Sequence, residues 1–392
     1  MNFVESLEST HEFAAISNLL FDRTSHTTKA FLNETIKNIV QDVNIGSTTW
    51  INGEQADAIR IAVQDCCQTS YQGAGGSAAN TIAGLRAFGA KVSISGSLAE
   101  DYFEELYTTS LKERGIIHRP TPPQNPSLGS GTCTIFITED DSGTSERTML
   151  TNLGVSGEVI LSDADIEFIG SAKWLLVEGY LFEPESTYNS MCRAAQKMKD
   201  NKKKVAITLS ADFCVRKNLK LINEFITEYA DIVVGNNTEA MILTGSPTPG
   251  ESAKILQKRG LTGAVTCGNM GAFVFDQESV CFIPSPKVEE VVDTTGAGDQ
   301  FFAGFIFRLF QGGTIQEAGR FGAECAGNVI KTWGAQPANN PKLQNPETSL
   351  LDEQLNETSE ESNSSSPSML TVEEENLEVE VEEEILEEVY SE

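Results

Sequence analysis

The sequence predicts an α/β fold, a three-layer α/β/α core around a mostly parallel sheet that carries a small β-sheet lid. Three observations lead there. Short β-rich runs alternate with helical patterns through the middle of the chain, which is how βαβ units read. Two stretches break that alternation with pure strand character. The 392 residues are 40% hydrophobic, enough for a sizeable core in one large α/β domain with appendages or in two ordinary domains.

Taken in order, strands are expected at 91–96, 174–177, 205–209, 232–234 and 264–266. Helices are expected at 101–114, 185–200, 219–229, 238–243, 301–310 and 314–331. Gly115 closes the first of these helices and Thr244-Gly245 stops the fourth. The breaks in the alternation lie at 132–138 and 146–150, which flank Asp140-Asp141-Ser142-Gly143 and read as a β-hairpin. Further short strands are expected before residue 50. Together these pieces suit a lid drawn from parts of 15–55 and 130–152. A lid of this kind can exclude water from a site beneath it.

Charge separates the chain into two kinds of material. Residues 339–392 hold 17 acidic residues and one basic residue, so −16 of the net −29 sits there and −13 remains on the rest. The Ser-rich stretch 359–368 and the Glu-rich stretch 373–388 cannot bury enough apolar surface to offset ordering entropy, so a disordered tail is expected. Apolar residues such as Leu377, Ile385 and Leu386 interleave its acids, which leaves open an unknown partner for the tail. So acidic a surface repels nucleic acid. Neither a signal peptide nor a membrane-spanning run is visible. Eight scattered cysteines without a C-x-x-C pair read as reduced thiols in a cytoplasm, and three histidines leave a zinc site or a His-based triad short of parts.

The strongest chemical signal is Asp293-Thr294-Thr295-Gly296-Ala297-Gly298-Asp299, which runs into an apolar helix. Small residues at Gly296, Ala297 and Gly298 let successive backbone N–H groups turn toward one point, and a helix dipole there reinforces an anion hole. A carboxylate at the end of such a loop repels phosphate. Its use is to accept a proton from an attacking hydroxyl beside the transferring group. Asp is a weak base, with a reference pKa of about 3.9, yet it suffices where positioning does most of the work. The plainer reading makes Asp299 a helix cap and the glycines a turn.

With that string, the sequence closely resembles the PfkB family of carbohydrate and nucleoside kinases, with the ribokinase-like fold. Asp293–Asp299 matches its D-T-x-G-A-G-D motif, and Gly75-Gly76-Ser77-Ala78-Ala79-Asn80 its G-G-x-x-x-N motif. The likeness runs over 12–338 and is strongest to adenosine-kinase-like members, through Glu146-Arg147-Thr148-Met149, Glu178-Gly179-Tyr180-Leu181 and Leu209-Ser210. It implies that Gly75, Gly76 and Asn80 contact the sugar. It implies the same for Asn18 and Asp22, in Asn18-Leu-Leu-Phe-Asp22, with Asp22 fixing a diol; Ser17 replaces the family's preceding glycine. Asn236-Asn237-Thr238-Glu239 resembles the N-x-x-E motif for Mg2+ and phosphate, though Asn followed by Glu at this spacing is also a capping box. Thr266, Gly268 and Gly271 resemble the nucleotide turn for ATP. Asp293 and Thr295, with carbonyls near Gly334, resemble a K+ loop, where Ala338 replaces a serine of some members. The acid of Ala211-Asp212 stands one position later than in related members.

The string at 73–78 also matches G-x-G-x-x-A, a dinucleotide fingerprint, but residues 65–72 lack the hydrophobic strand that a Rossmann fold needs there. No P-loop string occurs. The expectation is therefore an ATP- and Mg2+-dependent kinase acting on a primary hydroxyl of a nucleoside or sugar, adenosine first and a ribose- or fructose-type sugar second, as a monomer or homodimer. A rival of another class is an inactive member that binds or regulates.

Overall fold

The computed structural model describes residues 11–43, 45–139 and 145–337. The turn at 140–143, Ala338 and the acidic tail 339–392 lie outside those residues.

Two sheets make the architecture. Among the described residues the larger has nine strands: β1 (Phe13–Ile16), β5 (Val92–Gly96), β6 (Ile117–Pro120), β9 (Trp174–Glu178), β10 (Lys204–Thr208), β11 (Ile232–Asn236), β12 (Thr262–Thr266), β13 (Gly271–Phe275) and β14 (Val280–Pro284). Their order is β14-β13-β12-β11-β10-β9-β1-β5-β6. Strands β12 to β6 in that row run parallel, and β13 and β14 close one edge as antiparallel strands. Parallel strands are covered on both faces and read as continuous apolar runs, as the fully buried Phe13–Ile16 and Leu175–Val177 do. The core spreads from β9, β10 and β11 onto the helices Glu185–Asp200, Asp212–Glu228 and Pro249–Lys258.

The second sheet has five strands: β2 (Leu20–His26), β3 (Thr48–Trp50), β4 (Gln68–Gly75), β7 (Gly131–Glu139) and β8 (Ser145–Asn152), in the order β3-β8-β7-β2-β4. Side chains alternate across it with period two. Phe136 and Leu150 face a small core of their own with Leu32, Ile36, Ile59 and Val63. Ile135, Met149 and Asp22 face the other way, into a cleft.

Several elements differ from the sequence expectation. The reading of 65–72 as strandless is corrected: β4 runs straight into Gly75, paired antiparallel with β2 so that Asp22 faces Gly73 and Leu20 faces Gly75. Its Gln, Ser and Thr hide a strand whose stability comes from that pairing, and it belongs to the second sheet rather than to a Rossmann unit. The helix expected at 219–229 begins at Asp212, with a break in helical geometry at Asn218 (φ −113°). The β-favouring run Phe213-Cys214-Val215 disguises its first half, which buries Cys214 and Val215 in the core. The helix at the 293–299 motif starts at Ala297, four residues earlier than its apolar run suggests, and ends at Phe310 as expected.

Candidate active site

A cleft of about 320 Å³ lies between the second sheet and the carboxyl ends of the parallel strands. It is bordered by Asn18 after β1, Glu178 and Tyr180 from β9 onward, Ser210 after β10, Asn236 at the end of β11 and Thr266 at the end of β12. Open α/β sheets bind ligands at this end of the strands.

On one side of the cleft begins the helix Ala297–Phe310. Its cap, Gly296, is in the left-handed region (φ 77°), and a Cβ there would lie 2.5 Å from the carbonyl oxygen of Ala335, so only glycine fits. No side chain caps this terminus. The Ala297 N–H donates weakly back to the Thr294 carbonyl at 3.3 Å. At Gly298 a Cβ would meet no atom within 4 Å, so the first turn opens on the cleft. Uncapped first-turn amides and the dipole behind them attract an anion.

Asp299 stands beside these amides. Its Oδ1 accepts from Ser77 Oγ at 2.7 Å and its Oδ2 from Asn80 Nδ2 at 2.9 Å. Both donors sit one turn apart on the helix Ser77–Ala87. Desolvation pushes the carboxyl up to about 6, while the bonds from Ser77 and Asn80 and the Arg147 charge pull it down. A carboxylate poised there is charged at neutral pH and still basic enough to take a proton.

The Asn80 amide is engaged at both ends, because Gln336 Nε2 donates to its Oδ1 at 3.1 Å and also to the Ala74 carbonyl at 2.7 Å. Gln300 Nε2 ties the backbone of the same residue to the Ala335 carbonyl, at 2.9 and 3.0 Å. Asn80 therefore orients the base, and one of its two amide N–H groups stays available to a hydroxyl.

Asp22 projects from β2 over Gly75. A Cβ on Gly75 would lie 2.1 Å from Asp22 Oδ2, so the glycine makes room for the carboxylate; it does not itself line the cleft, whereas Gly76 does. Burial, with Asp299 and Asp293 nearby, pushes Asp22 up to about 8. Asn18 also lines the cleft, with its Nδ2 on the Ser156 carbonyl at 2.6 Å and its buried Oδ1 lacking a partner in the protein.

The remaining motif residues divide between the cleft and its supports. Asn236 and Glu239 both line it, and they form a reciprocal capping box: Asn236 Oδ1 accepts from the Glu239 N–H and Glu239 Oε2 from the Asn236 N–H, each at 2.9 Å. Burial pushes Glu239 up to about 7. Thr266 reaches the cleft. Gly268 and Gly271 do not; a Cβ on Gly271 would lie 2.1 Å from the Ile283 carbonyl, so pairing of β13 with β14 requires that glycine. Asp293 is buried behind the loop, where it accepts from the N–H and hydroxyl of Thr295 (2.9 and 2.6 Å) and from the Gly334 N–H (3.1 Å). It braces the loop. Asp212 is exposed, pairs with Arg216 at 3.5 Å and is absent from the cleft wall.

The fit to metals follows from these bonds. No group of three or more His, Cys, Asp or Glu suited to a metal occurs among the described residues. Glu239 lines the cleft without joining a cluster of carboxylates, which suits Mg2+ that keeps most of its waters and is held mainly by substrate phosphates. Asp293 and Thr295 are already tied to each other, so a K+ ion would add to a brace that the chain makes by itself.

Four residues of the cleft and its supports escaped the sequence reading. Glu178 is fully buried and takes the Asn18 N–H (2.8 Å) on one oxygen and the Ala78 N–H (2.6 Å) on the other, joining the end of β1 to the helix that carries Ser77 and Asn80. Burial pushes it up to about 7 against the pull of those amides. Arg147 reaches from β8 to Thr295 Oγ1 at 3.2 Å. Alternation along β8 with Met149 and Thr151 was the available signal for Arg147. Ser77 and Gln336 bond partners 222 and 256 residues away, and no local pattern announces them.

Among the described residues, no helix is long and apolar enough to cross a membrane, and seven cysteines are free thiols. Residues 54–343 match the model of the pfkB family carbohydrate kinases. The adenosine kinase of Schizosaccharomyces pombe is 28% identical over 262 residues, covering 61% of this chain and 74% of that protein. The ribokinase of Haemophilus influenzae is 27% identical, covering 67% and 82%. The crystal structure of adenosine kinase from Sinorhizobium meliloti superimposes with a TM-score of 0.75 at 27% identity, over 88% of this chain and 99% of that one. The chain thus belongs to the pfkB family of carbohydrate kinases, with the ribokinase-like α/β fold, and is a phosphotransferase whose acceptor is a hydroxyl group.

Proposed function

We propose that this kinase transfers the γ-phosphoryl group of ATP to a primary hydroxyl of a ribosyl substrate, with adenosine favoured over a free sugar. The observation that carries this is the Asp299 carboxylate, held by Ser77 and Asn80 beside an uncapped helix terminus in the cleft.

In this reading the acceptor oxygen attacks the γ-phosphorus and a new O–P bond forms. The bond from that phosphorus to the bridging oxygen of ADP breaks, and the hydroxyl proton passes to Asp299. The open first turn at Gly296, Ala297 and Gly298 and the Arg147 guanidinium stabilise charge on the transferring group. Asp22, Asn18 and Gly76 aim the sugar; Gly75 serves by admitting Asp22. Asn236 and Thr266 belong to the nucleotide side, and Gly268 and Gly271 shape the turn behind Thr266. Glu239 would help to hold Mg2+, which would neutralise phosphate charge, and Asp293 with Thr295 would hold K+. The second sheet, drawn from parts of 15–55 and 130–152 as expected and extended by β4 (Gln68–Gly75), acts as the lid of a kinase domain spanning 12–338.

Support for a nucleoside comes from the mouth of the cleft. Trp50 of β3 and Tyr180 after β9 meet edge to face, with ring centroids 6.2 Å apart, and both line the cleft. Flat aromatic surface suits a base. Two curated relatives and a solved neighbour also carry the name adenosine kinase. The test is ADP release from ATP and Mg2+ over adenosine, cytidine, ribose and fructose. Turnover highest with adenosine is expected; turnover with fructose alone would overturn the substrate, and none with any acceptor would favour an inactive binding protein.

A further inference from the structure

The second sheet has another cavity, of about 240 Å³, on the face away from the cleft. The alternation of β2 puts Leu20 and Asp22 in the cleft and Phe21 and Arg23 in this cavity. Cys133 of β7 borders both, so a single layer of sheet separates them.

Its charges are unusual for so acidic a chain. Arg23 is half-buried and donates from Nε and Nη2 to the Thr69 hydroxyl at 3.0 and 2.9 Å; among the described residues it has no ion pair with a carboxylate. Arg60, on the helix Gly53–Cys66, lines the same cavity and pairs with Asp57 at 3.4 Å, where both side chains are exposed and the pair is worth little. The other acid of the wall, Asp101, is occupied by the N–H groups of Phe103, Glu104 and Ser130 and by the Ser130 hydroxyl. Burial and the like charge of Arg60 both disfavour the charged state of Arg23. An anion between the two guanidinium groups would relieve both costs. Thr134 and Asn152 add polar donors to the wall, and the Phe21 and Phe103 rings, with centroids 5.3 Å apart, supply an apolar side.

We propose that this cavity binds a small phosphate-bearing anion between Arg23 and Arg60, and that its occupancy alters how Asp22 on the same strand holds the acceptor. The volume suits inorganic phosphate or the phosphate monoester of a small sugar. Binding does not depend on the reaction proposed above; the effect on Asp22 does.

Calorimetric titration of the full chain with inorganic phosphate and with ribose 5-phosphate tests it, using Arg23→Gln, Arg60→Gln and, for the cleft, Arg147→Gln. At least one probe is expected to bind, roughly tenfold more weakly in each of the first two variants and unchanged in the third. Equal affinity for both probes identifies phosphate alone as the ligand; tighter ribose 5-phosphate assigns the sugar to the Phe21–Phe103 wall. No binding at about 10 mM, or binding lost only with Arg147→Gln, would overturn the site. Arg60 is exposed, so its variant keeps the test sound if Arg23→Gln misfolds. A KM for the acceptor that the bound probe shifts in the wild type and not in Arg60→Gln is expected; a KM unmoved in both would overturn the coupling while leaving the kinase reading intact.

Discussion

The helices that begin at Ala297 and at Asn237 both start at the cleft, and they treat their first turns in opposite ways. At Asn237 the terminus is closed on itself: Asn236 and Glu239 exchange hydrogen bonds, and the orphan amides find partners within the chain. At Ala297 a left-handed glycine replaces the polar cap, no side chain closes the turn, and Asp299 is held away from the amides by Ser77 and Asn80. Closing a helix terminus stabilises the fold by about 1 kcal/mol. Leaving one open forgoes that and keeps donors for a ligand. Both termini carry an acid in the first turn, so composition alone does not distinguish them; the partners of the acid do.

The largest effect is expected at the open terminus. Asp299→Asn keeps the hydrogen-bonding shape and removes the base, so kcat should fall by roughly 10²–10⁴ while KM stays within a few-fold, as steady-state ADP release would show. Next comes Gly296→Ala, which forces a Cβ into the Ala335 carbonyl and a left-handed alanine; a loss of about 2 kcal/mol in urea unfolding is expected. Gly298→Ala meets open space and should leave stability within about 0.5 kcal/mol, which sharpens the contrast within one turn.

Much of this contrast was legible in the sequence. The 293–299 string announced the open terminus because glycines, a helix and a terminal acid leave few other uses. The Asn-x-x-Glu spacing announced the closed one as a capping box. What stayed hidden was whatever depends on distant chain segments. Glu178 looks like the polar end of a strand until Asn18 and Ala78, 160 and 100 residues away, turn their amides to it. The strand β4 carries no apolar alternation because the partner strand, rather than a core, specifies it. Gly75 and Gly271 read as ligand-contacting glycines, and the fold also needs them to make room for Asp22 and for β14.

At the closed terminus a smaller effect separates cap from metal. Glu239→Gln keeps the bond from the Asn236 N–H, sets an amide NH2 where the carboxylate accepted from Asn236 Nδ2 at 2.7 Å, and removes the charge. Stability should fall by about 1 kcal/mol, and the Mg2+ concentration for half-maximal rate should rise several-fold; an unchanged Mg2+ requirement would make Glu239 a cap alone. The smallest effect is expected from Gln336→Leu, which frees the Asn80 amide to turn. It should lift the acid limb of the pH–rate profile by a few tenths of a pH unit, with the fold retained.

That acid limb is also the most direct test of the base. A carboxyl raised to about 6 is ionised above that pH, so Asp299 should add a limb over which kcat/KM falls as pH drops through about 6, below the turns that Glu239 at about 7 and Asp22 at about 8 would add. In Asn80→Ala, which removes a bond to the ionised form, the limb should move to higher pH. A profile without that limb, or one that Asn80→Ala leaves in place, would contradict Asp299 as the group that takes the proton.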